Sequence, residues 1–353
     1  MAGLAHASPD WDVIVVGAGI IGCAIAREVA RRGARTAVFE ARSVGAGATQ
    51  ASAGVLAPFI EAPGEGPLQA LTVQSLAMYD DFVASVAQES HATIEYRRCG
   101  TLEIAHDEAS VRRLKTLGEW ARSRGIDARW TDRAEVNDLE PALGSNCGGL
   151  VVSDHGYVRA PQLTSALETA ARNLGAVIHV GRRVERVSCV DDGVTITTAA
   201  GTFRARTVVV AAGSWSGDIA SETEVLPVRG QLLYVRWRGK PISRVLWTDS
   251  CYLVPWLDGT LLIGATVEDA GFDERVTAAG VQVLLNAATA VLPEIADAGF
   301  IEARVGLRPA TPTGLPIIGR STHCSSIVYA TGHFRNGILL APITARLVAD
   351  LIC

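Results

Sequence analysis

Apolar residues fill a short run at Asp12–Val16, then recur with helical spacing from Ile20 to Arg32, where a basic last turn meets Gly33. A second apolar run follows at Thr36–Phe39. A strand, a helix and a strand of these lengths predict a parallel pair joined by a right-handed crossover. Helical patterns return at Leu68–Gln88, Ala109–Arg124 and Pro161–Asn173, with strands at Ile94–Tyr96 and Thr101–Ala105. Gly45–Gly54 and Glu140–Gly149 read as loops. From Ala176 the period shortens: Val177–Val180, Val184–Val190, Val194–Thr198 and Thr202–Ala205 alternate around turns at Asp191-Asp192-Gly193 and Ala200-Gly201. Thr207–Ala211 is apolar throughout, as a strand buried on both faces requires. Val225–Trp237, Tyr252–Pro255 and Leu261–Gly264 predict an antiparallel sheet, and Val276–Leu292 a helix. Ile327–Ala330 is a further buried strand. The last helix starts just after Gly337 and runs through Leu351, with Pro342 expected in its first turn, where a missing N–H costs little.

The order of these elements predicts an α/β plus α+β fold. A Rossmann-like nucleotide domain, drawn from residues 11–90, 145–222 and 300–353, interleaves with an antiparallel-sheet substrate domain from residues 91–144 and 223–299. A chain of 353 residues suits two linked domains, and 48% hydrophobic with 20% charged residues is a globular balance. With a net charge of −5 and no basic tract, nucleic acid is excluded as a partner, and a small anionic substrate needs local arginines. The seven cysteines are scattered without a CxxC pair, so zinc and disulfide frameworks fit poorly. Reduced thiols in a cytoplasmic protein, with no metal, are expected. Residues 1–10 lack a signal peptide's basic start and apolar stretch, and the run Val13–Ala26 is too broken by glycine to span a membrane.

Gly17, Gly19 and Gly22 follow a strand and open a helix. Gly17 allows the tight turn, Gly19 lets backbone approach a pyrophosphate, and Gly22 lets the helix lie close to the strand. The helix N-terminus then offers N–H groups to the phosphates. Glu40 ends the second strand, where a carboxylate binds ribose hydroxyls and repels a 2′-phosphate, which disfavours NADP. The fingerprint leaves NAD and FAD open. The buried strand ending in Ala212-Gly213-Ser214-Trp215 and the loop Gly332-His333-Phe334-Arg335-Asn336-Gly337 before a helix favour FAD.

Six segments carry a resemblance: VGAGIIG…VFEAR, ATQASAGVLAP (Ala48–Pro58), VVVAAGSWS, CYLVPW (Cys251–Trp256), GLRPATPTGLPIIG (Gly306–Gly319) and GHFRNGILLAP (Gly332–Pro342). On these the chain resembles the glycine oxidase branch of the D-amino-acid oxidase family. The resemblance implies non-covalent FAD bound by the first domain beneath an antiparallel sheet. Cofactor contacts are implied from Gly17, Gly19, Ile20, Ile21 and Gly22, and from Glu40, Ala41 and Arg42. Thr49, Ser52, Ala53, Gly54 and Val55 would follow, the last three along the isoalloxazine, with Val184 at the adenine and Ala212, Gly213 and Trp215 as a second approach. Asn336, Gly337, Ile338 and Leu339 would line the flavin's N1–C2=O edge, with Gly332 and Arg335 as further cofactor contacts. Arg308 and Tyr252 are implied as partners of the substrate carboxylate, Arg308 also touching cofactor, with Arg335 a second pocket arginine.

The reaction so implied is oxidation of glycine, sarcosine or a small D-amino acid by hydride transfer from Cα to the flavin. An imine forms and hydrolyses to glyoxylate or a keto acid plus ammonia, with oxygen reduced to peroxide. A homo-oligomer, a tetramer by family habit, and a place in thiamine synthesis are also implied. Rival readings are a flavin dehydrogenase serving a quinone or carrier, a non-catalytic flavin or imine carrier, and, weakest, an NAD-linked dehydrogenase. Ser250 and Val267 depart from the family pattern and are expected near the substrate. His333 reads as structural, Trp215, Trp247 and Trp256 as packing with Trp247 or Trp256 able to wall the pocket, and Cys251 as a buried filler.

Overall fold

The computed structural model describes residues 10–62, 64–191, 193–220 and 222–353. The start of the chain and Asp192 of the expected turn lie outside the described residues. Trp11–Val16 and Thr36–Glu40 pair in parallel across the helix Ile20–Arg31, with Val13 opposite Thr36 and Val16 opposite Phe39. Gly201–Val210 adds on the other side of Trp11–Val16, then Ile327–Thr331 beside it, while Val177–Val180 flanks Thr36–Glu40. Distant parts of the chain thus meet in one parallel sheet. Helices Ile20–Arg31, Ala160–Asn173 and Gly337–Ile352 bury apolar faces in a common core against it.

The two strands expected at Thr202–Ala205 and Thr207–Ala211 are one, Gly201–Val210. Its first half pairs antiparallel with Gly193–Thr198 and its second half parallel with Ile327–Thr331. The break in pattern at exposed Arg206 marks a change of cover, not a turn. At this fork Cys189 and Cys324, separated by 135 residues, lie 6.2 Å apart at Cα and form a disulfide. The expectation of seven reduced thiols is corrected accordingly: five cysteines are free. The pairing is invisible in the spacing because the sheet alone brings the two residues together.

The second sheet has eight strands in the order Gly299–Ala310, Leu226–Arg236, Thr260–Gly264, Tyr252–Pro255, Val245–Trp247, Thr101–Ile104, Gly149–Val152 and Ala128–Thr131. All neighbours are antiparallel except Val245–Trp247 with Thr101–Ile104. Gly149–Val152 and most of Gly299–Ala310, expected in the nucleotide part, hydrogen-bond here instead. The strands Val245–Trp247 and Ala128–Thr131 and the helix Arg133–Leu139 were not anticipated, being too short for a clear period.

Leu68–Gln88 is two helices, Pro67–Ala77 and Tyr79–Ser90, that meet at Met78. Pro342 lies in the second turn of Gly337–Ile352, not the first. There its missing N–H frees the carbonyl of Ile338, and the Tyr79 hydroxyl donates to it at 2.6 Å. The Ser75 hydroxyl donates to the Leu339 carbonyl at 2.6 Å and accepts from the Ile343 N–H at 3.4 Å. Two side chains from the broken helix thereby replace the ladder that proline interrupts, which is why an internal proline is tolerated. No helix among the described residues is long and apolar enough to cross a membrane.

Candidate active site

The first strand delivers its chain into Gly17, whose φ of 101° suits glycine and whose added Cβ would lie 2.5 Å from the Ala211 carbonyl oxygen. A Cβ on Gly22 would lie 1.9 Å from the Gly17 oxygen, so the helix starts hard against the turn. Its N-cap, Gly19, carries no side-chain cap. The Ile20 N–H donates to Thr49 Oγ1 at 3.1 Å, and the N–H groups of Ile21 and Gly22 precede the first intrahelical bond, from the Cys23 N–H to the Gly19 carbonyl. Glu40 is held by the N–H groups of Ala18 and Arg42, each at 2.7 Å. A carboxylate has acceptor capacity beyond those two bonds, available to ribose hydroxyls. A positive helix end next to a fixed carboxylate is the donor and acceptor set of a dinucleotide site.

From this cradle a cleft of ≈ 390 Å³ runs between the two sheets to Tyr252, Arg308, Arg335 and Glu61. Arg42 spans its mouth, pairing with Glu274 at 2.9 Å and lying over the Trp215 ring at 4.9 Å. At the far end, Arg308 Nη1 donates to the carbonyls of Thr266 at 2.9 Å and Arg229 at 3.4 Å. Those bonds fix the guanidinium plane through one terminal nitrogen. The guanidinium rests on Gly230, where a Cβ would stand 2.3 Å from Cζ. Tyr252 rests likewise on Gly264, where a Cβ would stand 2.3 Å from the ring, and stacks on Trp247 at 4.9 Å. Two glycines on neighbouring strands therefore make the floor on which the two polar groups lie.

Arg335 lies over Trp247, 5.7 Å from the ring centroid. It meets Glu61 through two parallel contacts, Nε to Oε2 and Nη2 to Oε1, both 3.1 Å. Burial pushes the Glu61 carboxyl above its ordinary pKa, with Arg335 and then Arg308 pulling it back. Burial also raises the Tyr252 phenol, against the nearby charges of Arg308 and Arg335, so its hydroxyl keeps its proton. His333 is buried, shares a 3.1 Å hydrogen bond between Nε2 and Thr344 Oγ1, and is pushed down to about 3 by desolvation. It is a neutral structural group, in line with the sequence reading.

Residues 12–351 match the profile of the DAO family of FAD-dependent oxidoreductases. The chain belongs to this family. FAD is its cofactor, and the cradle, the fixed Glu40 and the long cleft fit that group. The glycine oxidase of Geobacillus kaustophilus is 34% identical over 352 residues, covering 97% of this chain and 93% of its own. The crystal structure of that enzyme superposes with a TM-score of 0.94, covering 97% of this chain and 94% of its own. A bifunctional ThiO/ThiG protein of Nostoc sp. is 35% identical over 97% of this chain, which spans 52% of that longer protein. The structure of an iminodiacetate oxidase from Chelativorans sp. BNC1 has a TM-score of 0.88 at 28% identity, covering 96% of this chain and 95% of its own.

Within this FAD-dependent oxidoreductase, the cleft is lined by Gly17, Gly19, Ile20 and Ile21, then Glu40, Ala41, Arg42 and Thr49. Ser52, Ala53, Gly54, Val55, Val184, Ala212, Gly213 and Trp215 follow, with Gly337 and Ile338 beside the arginines. Gly22, Gly332, Asn336 and Leu339, also named from the sequence, do not line it. Gly22 and Leu339 are packed inside, and Gly332 turns the chain against Thr311. Asn336 is buried, and its Oδ1 has no hydrogen-bond partner in the protein. Ser250 and Val267 are not lining residues either: both are exposed, Val267 at 62%, and the Ser250 hydroxyl lies 3.2 Å from Thr248 Oγ1. Sequence reasoning missed Glu61, Glu274, Arg183 and Asp218, all on the cleft wall. For Glu61 a signal existed, a lone acid just after the matched loop in the otherwise apolar Pro58–Glu61 turn.

Proposed function

We propose that this oxidoreductase oxidises the Cα–N bond of glycine or a similarly small amino acid, sarcosine and small D-amino acids included, with oxygen as electron acceptor. The observation that carries the reading is Arg308, fixed by the Thr266 carbonyl and seated on Gly230 next to Tyr252, at the end of the cofactor cleft. FAD, held without a covalent bond, supplies the two-electron acceptor for the substrate's Cα hydrogen. Gly17, Gly19, the following N–H groups and Glu40 would hold its dinucleotide end, and Ala53, Gly54, Gly337 and Ile338 its ring system.

With Nη1 engaged by backbone carbonyls, the rest of the Arg308 fork is left to pair with a substrate carboxylate. Tyr252, kept neutral by burial, donates its hydroxyl to the same carboxylate. Fixing the carboxylate orients Cα–H, so the contribution of these residues is proximity and orientation. No side-chain base is required, and His333 is unsuited to be one, being neutral and committed to Thr344. Tyr252 and Arg335, both backed by the Trp247 ring, line this end of the cleft and favour small side chains. The imine product leaves for hydrolysis to glyoxylate or a keto acid plus ammonia, with peroxide formed from oxygen. The likeness to glycine oxidases and to a ThiO/ThiG protein supports this substrate class and a role in thiamine synthesis. A cytoplasmic homo-oligomer completes the proposal.

The test is anaerobic flavin bleaching with glycine, sarcosine and D-alanine, followed by peroxide measurement in air. At least one of them bleaches the wild type, and Arg308→Ala retains flavin while its KM rises on the order of 100-fold or more. Bleaching by no amino acid would overturn the reading. Bleaching without peroxide in air would replace oxygen by another acceptor.

A further inference from the structure

The charged end of the cleft holds two guanidinium groups, Arg308 and Arg335, and one carboxylate, Glu61. Glu61 covers the Nε–Nη2 edge of Arg335, the edge with which an arginine grips a second carboxylate. It is set there rigidly, ending the one-turn helix Pro58–Glu61. Phe59 of that turn is stacked on His155 at 5.4 Å and meets Trp120 edge-on at 6.4 Å. The Glu61 side chain is 10% exposed, so water does little to mask its charge.

Resting on the substrate reading above, we propose that Glu61 is a specificity determinant that restricts the site to amines bearing a single carboxylate. With Glu61 in place the group of three carries one net positive charge, which one carboxylate neutralises. A second carboxylate, as in an N-carboxymethyl amino acid, finds the Arg335 edge taken and a buried like charge facing it. An uncompensated anion in such a setting is costly. The fold itself is no obstacle, since the similar iminodiacetate oxidase is built on it. The discrimination resides in the side chain that occupies Arg335.

The experiment compares the holoenzyme with Glu61→Gln, by rate and affinity of anaerobic flavin reduction with glycine and with iminodiacetate. In the wild type glycine is strongly preferred. In Glu61→Gln the preference moves toward iminodiacetate on the order of 10- to 100-fold, because a like charge a few ångströms away is removed. Glu61→Asp, which keeps the charge, stays near the wild-type ratio, and Arg335→Gln added to Glu61→Gln abolishes the gain. A role confined to anchoring the Arg335 loop changes both substrates alike and leaves their ratio still, which would overturn the proposal. Should Glu61→Gln lose its flavin, acetate and malonate are titrated against the wild-type flavin spectrum. Tighter acetate binding supports the proposal, and equal or tighter malonate binding overturns it. Wild-type bleaching by neither substrate, nor by sarcosine or D-alanine, removes the substrate reading and this inference with it.

Discussion

Gly230→Ala tests the seat of Arg308 without touching any group that meets the substrate. Val228 stands opposite Arg308 across the strand pair, so Gly230, two residues on, lies diagonally under its side chain on the same face. The new Cβ would sit 2.3 Å from Cζ and both terminal nitrogens, whereas ordinary contact begins at 3.4 Å. The guanidinium must therefore withdraw by about 1.1 Å (3.4 less 2.3). Its 2.9 Å bond to the Thr266 carbonyl would stretch toward 4 Å, beyond hydrogen-bonding range. A misplacement of about 1 Å in a positioning group costs roughly 10²-fold, and loss of a charged hydrogen bond, worth about 1.5–3 kcal/mol, is of the same size. Because the displaced atoms end a flexible side chain and Gly230 needs no positive φ, the backbone is spared. The expected result is kcat/KM lower by roughly 100-fold through KM, with flavin content and Tm near wild type. A kcat/KM within about 3-fold of wild type would refute the seat, as would a loss of flavin in step with activity.

Two further predictions concern stability. Tyr79→Phe leaves the Ile338 carbonyl buried and without a donor, because Pro342 has none to give, and costs about 1–3 kcal/mol by denaturant unfolding. Adding Pro342→Ala restores an intrahelical N–H and recovers most of that loss; no recovery would separate the hydroxyl from the proline. His155 and His333 are both pushed down to about 3 by burial, so in the folded state they stay neutral where an unfolded histidine, near 6.5, takes a proton. Their contribution is whole above pH 6.5 and is lost as pH falls toward 3, with unfolding at pH 5 taking up about two protons from this pair. Stability unchanged between about pH 6.5 and 4.5 would contradict it.

Much of the nucleotide cradle was legible because its parts are contiguous. Gly17, Gly19, Gly22 and Glu40 sit on one strand, helix and strand whose periods announce themselves, and each glycine's task follows from the turn it occupies. Arg308, Tyr252 and Arg335 were legible by resemblance alone, and the cleft does bring them together. Ser250 and Val267 failed as pocket residues because both sit in loops, one before Tyr252–Pro255 and one after Thr260–Gly264, where no period along the chain records which way a side chain turns. The single helix expected over Leu68–Gln88 failed for a related reason. Ser75 and Tyr79 each answer to the C-terminal helix, not to each other.

By itself the amino-acid order determined the parallel sheet, the dinucleotide fingerprint and the interleaved plan, since these rest on periods and turns that close over a few residues. Tertiary structure alone decided that Glu61 closes one edge of Arg335, that Gly230 and Gly264 floor the pocket, and that Cys189 meets Cys324. The reason is physical: those relations need only a few ångströms of space between residues from distant strands. Nothing in the local preferences of either partner records how close the folded sheets will bring them.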